Sequence, residues 1–320
     1  MMNMFSLFQK ITLLILVLNF LNACSKEVKI DIPGFEEQLV IDGSIETGSS
    51  AIIFLSKTRD IYAPTDINSY LNGFISGATV IVSDGTITDT LMEICTDNLP
   101  LGFDSFAEEL FGIPIDSLVN LHLCAYASIN LSPLEFVIKG EVGKTYSLKV
   151  IHENKTYTSS TKIQNPKVLD NLFWKEQANL PGYGFSWAKL TDDPVMGDAY
   201  RWEVKKDGES SFSKPFQPFT DDRFYNGLTF EFSVENPMSF KDETIEDKYK
   251  GYYKFGDKIV VKFSKLGKKE FQFFEKKYNQ IYSGGNPFAT PTNIPTNIEG
   301  GALGIWAGFS PWYDTLICVP

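Results

Sequence analysis

The chain has few of the residues that most often carry catalysis. It contains only two histidines, His122 and His152, and four cysteines in 320 residues. No GxSxG or HExxH motif occurs, and both histidines fall in strand-like segments, which argues against a serine triad and a zinc protease site. Cys124 follows His122 at His-x-Cys spacing, but further ligands are missing. The sequence therefore predicts no metal and no cofactor.

The chain also lacks a basic excess. Its formal net charge is −11 at neutral pH, from 40 acidic and 29 basic side chains. A nucleic-acid partner or electrostatic adhesion to anionic lipid would need the opposite sign. Apolar residues make up 43% of the chain and aromatic residues 14%, so sizeable cores are expected rather than disorder. The length fits two domains of ordinary size.

No apolar run reaches the roughly 20 residues that a membrane-spanning helix needs. The longest one at the start, residues 11–20, follows Lys10 and leads to Ala23 and Cys24. This order is typical of a lipoprotein signal peptide over residues 1–23, with acylation of Cys24 and a polar lipidated tether over residues 24–37. An uncleaved anchor or a secreted protein with a chance cysteine remains the alternative.

Short alternating strands dominate the rest of the first half. Residues 39–45, 51–56, 78–83 and 146–151 alternate in the period-two manner of half-buried strands. Asp84-Gly85 is a strong hairpin signal. This pattern predicts an immunoglobulin/fibronectin-like β-sandwich over residues 38–165.

One segment of that half interrupts the strand rhythm. Residues 103–111 place aromatic side chains at helical spacing, which predicts a short helical insertion. We expect its aromatic face to cover the sandwich, and contact with a partner is the alternative. Cys95 and Cys124 flank the segment, and an exported compartment permits disulfides. We therefore predict a Cys95–Cys124 disulfide, with Cys318 left unpaired.

The second half predicts another β-sandwich, over residues 166–320. Strand-like runs recur at residues 200–204, 228–234 and 258–263. Residues 267–283 form the one long amphipathic helix, with an apolar stripe that includes Phe271, Phe274, Tyr278 and either Ile281 or Tyr282. The Gly/Pro/Asn-rich tail predicts an extended segment leading into a last strand, with glycines that allow close backbone approach.

A few polar and aromatic residues are candidate contacts for a ligand or partner. The loop with Asp221, Asp222 and Tyr225 combines both kinds of side chain, and Trp306 and Trp312 lie near the C-terminus. Carboxylate pairs at residues 192–193 and 221–222 could bind calcium together with Asp198 or Asn226, or simply cap turns. A hydrolase with acidic catalytic residues would need two of these groups to face each other.

The second half resembles a known family, domain-of-unknown-function family 4249, lipoproteins of Bacteroidota. The resemblance rests on Tyr200-Arg201, on residues 221–227, and most specifically on Asn286-Pro287-Phe288 followed by residues 297–304. Residues 40–45 and 78–80 resemble the opening strands of the family. The family has no established activity, and its genes commonly lie beside TonB-dependent outer-membrane receptors.

The sequence and this resemblance together favour a non-enzymatic protein. We expect a lipid-anchored outer-membrane lipoprotein, on the periplasmic side or the cell surface, that acts with a TonB-dependent receptor in nutrient uptake or envelope assembly. A glycan- or peptide-binding module is the alternative, and a hydrolase is the third hypothesis. The sequence predicts neither a particular ligand nor an oligomeric state.

Overall fold

Strands are the predominant secondary structure of the described chain. The structure, a computed structural model, describes residues 36–59, 73–99, 102–111, 115–118, 121–131, 134–209, 211–283 and 293–319. Cys24, the signal segment 1–23 and nearly all of the tether 24–37 lie outside these residues. The structure is mostly β, which confirms the predicted fold class at that level.

The strands predicted from alternating side chains are present, and further short strands lie between them. The strands are β1 Leu39–Glu46, β2 Ala51–Lys57, β3 Thr79–Ser83, β4 Thr88–Thr90, β5 Met92–Cys95, β6 Cys124–Ala127, β7 Ile129–Leu131, β8 Leu134–Phe136, β9 Thr145–His152, β10 Lys155–Lys162, β11 Asn171–Gln177, β12 Leu180–Thr191, β13 Ala199–Lys206, β14 Phe219–Asp221, β15 Thr229–Val234, β16 Tyr253–Lys254, β17 Lys258–Leu266 and β18 Leu303–Ile317. The α-helices are α1 Asp104–Phe111, α2 Ile115–Leu118 and α3 Lys268–Ser283. Among the described residues, no helix is long and apolar enough to cross a membrane.

One large sheet connects the two halves of the chain. Its strand order is β14-β13-β17-β18-β1-β2-β6-β5, and β18 pairs with β1 in parallel. A smaller sheet, β10-β9-β3-β4, comes from the first half, and another, β11-β12-β15, comes from the second. Because β1 pairs with a strand more than 250 residues later, local sequence patterns could not reveal this join.

Both small sheets pack against the same face of the large sheet. Residues two apart in a strand share a face. On β18, Trp306 packs with residues of the first half of the chain, in what we call the first core. Leu316 packs with residues of the second half, in the second core. The two residues are an even number of positions apart, so they lie on the same face of the strand. The other face of β18 presents Ile305, Ala307 and Phe309 to helix α3.

The predicted boundary at residue 165 falls between these two cores. Residues 37–320 form one compact unit. The first core is built almost wholly from residues before 165, with a few from the C-terminal segment such as Trp306. The second core is built from apolar side chains that lie between Leu169 and Cys318 in the sequence. The boundary thus separates two cores, but the large sheet continues across it.

Two residues of the Gly/Pro/Asn-rich tail, Asn297 and Gly304, position the last strand. The side-chain amide of Asn297 donates to the carbonyl oxygen of Trp306 at 2.8 Å, and its oxygen accepts the Trp306 N–H at 2.9 Å. Gly304 has φ of 110°, and a Cβ there would lie 1.9 Å from the carbonyl oxygen of Ile41. The side-chain amide of Asn297 thus pairs with both backbone groups of Trp306, as a neighbouring strand would. The absence of a Cβ at Gly304 permits the parallel pairing of β18 with β1. These contacts confirm the predicted close approach of the backbone.

The insertion between the two cysteines also behaves as expected. Cys95 and Cys124 form a disulfide across β5 and β6, with Cα atoms 4.1 Å apart. Phe103 is buried, and the ring of Phe111 lies edge-on to Phe54 of β2 at 5.7 Å. The apolar face of α1 therefore covers the sheet, as predicted.

Helix α3 covers part of the opposite face of the large sheet. Phe271 is buried, and Phe274 stacks on Phe219 of β14 with ring centroids 4.4 Å apart. Tyr282 stacks on Phe216, whereas Ile281 is 59% exposed. The stripe predicted on this helix therefore continues through Tyr282 and not through Ile281.

A compact group of buried charges lies on the same face of the large sheet. Arg201 of β13 contacts Glu46 of β1 at 2.5 Å and Glu203 at 2.8 Å, and Lys262 of β17 contacts Glu46 at 2.6 Å. Burial alone would raise the pKa of Glu46, but the Arg201 and Lys262 charges and their hydrogen bonds hold it at about 2. The guanidinium of Arg201 also lies 3.8 Å from the centre of the Phe309 ring.

Candidate functional site

An aromatic cavity opens at one side of the second core. Its volume is about 470 Å³, within the range usual for small-ligand sites. Most of its wall is aromatic, and the rings come from Phe185, Tyr200, Trp202, Phe216, Tyr225, Phe230, Phe232 and Phe263. The cavity therefore suits an apolar or planar ligand.

The cavity lies between a strand pair of the large sheet and the edge of the small sheet. Alternation along β13 directs Tyr200 and Trp202 to the same face, where Tyr200 stacks on Phe263 of β17 at 4.9 Å. Phe232 of β15 meets Trp202 edge-on at 5.7 Å. These packed rings form a preformed apolar floor.

The segment that connects β13 to β14 closes the other side. The Phe216 N–H donates to a carboxylate oxygen of Glu235 at 2.8 Å, and the Thr220 hydroxyl lies 3.1 Å from that of Tyr225. Tyr225 in turn contacts the ring of Phe230 at 4.4 Å. These contacts hold the C-terminal part of the segment beside the end of β15, and β14 beside the loop that carries Tyr225.

One polar group of the cavity wall lacks a partner. The indole N–H of Trp202 is buried and, among the residues that the structure describes, donates to no acceptor. A buried donor without an acceptor costs about 1–3 kcal/mol. The Trp202 ring therefore contributes apolar area to the wall, while its nitrogen is enclosed by the protein.

Some of the predicted contact residues line the cavity or its neighbour, and others lie in the core. Tyr225 lines it, and Asp221 lies on the wall of an adjoining cavity of about 210 Å³, where Arg223 pairs with both Asp221 and Glu275. Trp306 is 0% exposed and donates its indole N–H to the carbonyl of Tyr146, so it is a core residue and the prediction of a ligand contact there is wrong.

Trp312 and Asp222 also have structural surroundings. Trp312 packs, half-buried, against the second core and does not line the aromatic cavity. Asp222 is buried and accepts the backbone N–H groups of Gly197 at 2.6 Å and Asp198 at 2.9 Å. Its carboxylate therefore holds a loop in place and is not free for a ligand.

The second carboxylate pair is likewise occupied by donors. Asp192 accepts the Tyr200 hydroxyl at 2.7 Å and the Gly227 N–H at 3.2 Å. Asp193 accepts from Lys167 at 2.7 Å, and that hydrogen bond lowers its pKa. Burial, together with the hydrogen bond to Asp192, raises the pKa of Tyr200. These contacts give the hydrolase and calcium hypotheses no support, since the acids hold loops and strands together.

The residues with metal-ligand chemistry are already bonded. In the described part of the chain, Cys95, His122 and Cys124 form the group whose ligand atoms lie close enough to share an ion. Both sulfurs are committed to the disulfide, and His122 Nδ1 lies 2.9 Å from Asp97. No thiolate is left for zinc in this arrangement.

Sequence reasoning missed most of the cavity wall. Phe230 and Phe232 alternate in a strand-like run, which is the usual signature of a sandwich core. Trp202 has the same signature on β13. The available signal was the concentration of rings in residues 212–232 beside Pro215 and Pro218, which would break a regular strand.

These features define a mostly β protein in which two small sheets share one large sheet and a ligand-sized aromatic cavity lies at a sheet edge. The chain belongs to the family described as domain of unknown function DUF4249, whose model matches residues 25–311. This match confirms the resemblance noted from the sequence motifs. A comparison with curated proteins found no match.

Proposed function

We propose that this protein is a non-catalytic binding protein of the cell envelope that holds an apolar or aromatic ligand in the cavity of its second core. The observation that carries the proposal is the cavity itself, with its rings from two sheets. The occupied carboxylates at Asp192 and Asp222 add support, since binding needs no free acid.

A soluble aromatic probe tests the binding proposal. Para-bromophenol quenches tryptophan fluorescence on contact, so the full chain in lipid nanodiscs should show saturable quenching beyond that of empty nanodiscs. Replacing Trp202 by Phe should remove the saturable part. Non-saturable quenching that is equal in both proteins would overturn the proposal.

A matched pair at the cavity mouth sharpens this test. Thr220 is exposed and lines the opening. Thr220→Phe places a ring in the mouth and should weaken probe binding by about tenfold, because the added bulk competes with the probe. Thr220→Val keeps the volume and loses only the hydroxyl, so its affinity should stay within about threefold of the wild type.

The anchor and partner proposed from the sequence complete this function. In our proposal Cys24 is acylated, and the chain acts beside a TonB-dependent outer-membrane receptor in nutrient uptake or envelope assembly. The signal-like residues 1–23 and the family match support this proposal. Lateral confinement at a membrane would raise the effective concentration near such a partner.

Two measurements on cells test the anchor and the partner. Affinity purification from solubilised outer membranes should recover a β-barrel protein with the wild-type chain and much less with Cys24→Ser. Recovery of no β-barrel protein by the wild type contradicts the partnership. Protease digestion of intact cells distinguishes the cell surface from the periplasmic side.

We infer that each core, with its share of the large sheet, is an immunoglobulin/fibronectin-like sandwich. The two-layer packing of each small sheet on the large sheet supports this inference. An experimental structure whose strand connections differ from that topology would contradict it.

A further inference from the structure

We infer that the cavity takes an extended peptide, which adds as a strand to the free edge of β15 and directs alternate apolar side chains into the aromatic wall. This inference rests on the proposed binding function and names its ligand class. An unpaired strand edge and an apolar cavity lie side by side in the second core.

Strand β15 has an unpaired edge. The small sheet has the order β11-β12-β15, so β15 is an edge strand among the described residues. The Asp192 N–H donates to the carbonyl oxygen of Leu228 at 2.9 Å. Because hydrogen-bonded pairs alternate along an antiparallel ladder, Phe230, Phe232 and Val234 also bond to β12.

The remaining residues of β15 direct their backbone outward. By the same alternation, Thr229, Glu231 and Ser233 present their N–H and C=O groups to the free edge. Within the described chain these groups have no second strand to pair with. An exposed row of this kind is a template for strand addition.

The aromatic cavity lies along that edge. Phe230 and Phe232 line it from β15, and Thr220 of β14 lines it from the facing wall. β14 is itself the outermost strand of the large sheet. The cavity therefore lies where two sheets end side by side, and an added strand would cover its open side.

The geometry favours a peptide over a compact small molecule. Side chains on one face of a strand recur about every 7 Å, so alternate residues of an added strand would enter the cavity while the others face solvent. A compact apolar ligand would leave the β15 edge unpaired.

A fluorescent peptide with the right alternation is the probe. Ac-KTFTVTFTK-amide places its apolar residues on one face of a strand, and Ac-KFFVTTTTK-amide has the same composition without alternation. Anisotropy titration of the full chain in nanodiscs should show at least about tenfold tighter binding of the alternating peptide. Equal affinities would overturn the inference.

Backbone methylation tests the strand pairing directly. One peptide carries N-methyl groups on its three apolar residues and another carries them on three threonines. Since alternate N–H groups of a strand point to opposite edges, only one set can face β15. One methylated peptide should lose about tenfold or more in affinity while the other binds closely to the parent peptide. Equal binding by both overturns the inference.

A substitution in β15 gives the complementary test. Glu231→Pro removes an outward N–H that pairs with no strand, so the sheet should tolerate it. Peptide affinity should fall at least about fivefold below that of Glu231→Ala, which loses the same carboxylate but keeps the N–H. Equal affinities of the two variants contradict strand addition.

The para-bromophenol assay separates the two proposals. If the probe is quenched normally and the alternating peptide fails to bind, the inference is wrong and the binding function stands. If neither ligand binds, both proposals are wrong. The methylated peptides keep the test decisive even where Glu231→Pro fails to fold.

Discussion

The indole N–H of Trp306 donates to the main-chain carbonyl of Tyr146 at 3.0 Å. This bond joins the last strand of the chain, β18, to β9 of the first small sheet. Both side chains are fully buried in the first core. The C-terminal segment thus supplies the floor of a core that the first half of the chain otherwise builds.

The burial of Trp306 predicts a large stability effect. Trp306→Ala should lower the free energy of unfolding by about 3–5 kcal/mol, because it leaves a cavity among packed side chains. Trp312→Ala is the control, since Trp312 is only half-buried, and its loss should be clearly smaller. Urea denaturation followed by circular dichroism measures both. Similar losses in the two variants would contradict this account.

The parallel pairing of β18 with β1 depends on Gly304. Its φ is 110°, and an added Cβ would lie 1.9 Å from the Ile41 carbonyl oxygen. Gly301 has a similar φ of 91°, but a Cβ there meets nothing within 4 Å. Both positions carry backbone strain, but only Gly304 adds a steric clash.

We therefore expect different outcomes from the same substitution. Gly301→Ala should cost about 1–2 kcal/mol, from backbone strain alone. Gly304→Ala should cost more than about 4 kcal/mol or prevent folding, because the strands must separate. The difference in the midpoint of thermal unfolding measures the clash, and a difference near zero would refute it.

The Cys95–Cys124 disulfide should stabilise the insertion. The bridge closes a loop with a sequence separation of 29 residues. The double variant Cys95→Ser/Cys124→Ser should lose about 3 kcal/mol of unfolding free energy. Dithiothreitol should lower the melting temperature of the wild type and leave that of the double variant unchanged. A double variant as stable as the oxidised wild type would show that the bridge contributes nothing.

The charges around Glu46 predict a stability loss in acid. The folded pKa is about 2, against an ordinary value of 4.5. A carboxyl whose pKa falls on folding stabilises the protein above its unfolded pKa, and this contribution disappears as the pH drops from about 4.5 to 2. The wild type should therefore lose stability across that window.

Two variants isolate this contribution. Glu46→Gln leaves Arg201 and Lys262 without that partner, so it should be less stable at pH 7 and should lose less on acidification. Glu246→Gln, at a mostly exposed carboxylate, should follow the wild-type pH profile. Denaturation at several pH values measures the three curves, and parallel curves for the wild type and Glu46→Gln would contradict the assignment.

Local structure was largely predictable from residue patterns. The alternation in β9 and β10 buries every second side chain, and the stripe on α3 packs against the sheet. The Asp84-Gly85 hairpin forms between β3 and β4. These features follow from backbone periodicity and turn chemistry, which act over a few residues.

The candidate site was only partly predictable. Tyr225 does line the cavity, but Trp306 belongs to the core because its strand lies in the middle of the large sheet. Phe230 and Phe232 have the pattern of core residues and nevertheless face an open cavity. A ring in a strand is buried or accessible according to what packs over it, and local sequence does not contain that information.

The sequence by itself determined the mostly β character, the long helix, the covering insertion and the family. Each of these depends on spacing within short segments. The tertiary structure decided the parallel join of β1 to β18, the sharing of one sheet by two cores, and the aromatic cavity at the β15 edge. These features depend on contacts between residues far apart in the chain, whose pairing is chosen by the packing of whole sheets.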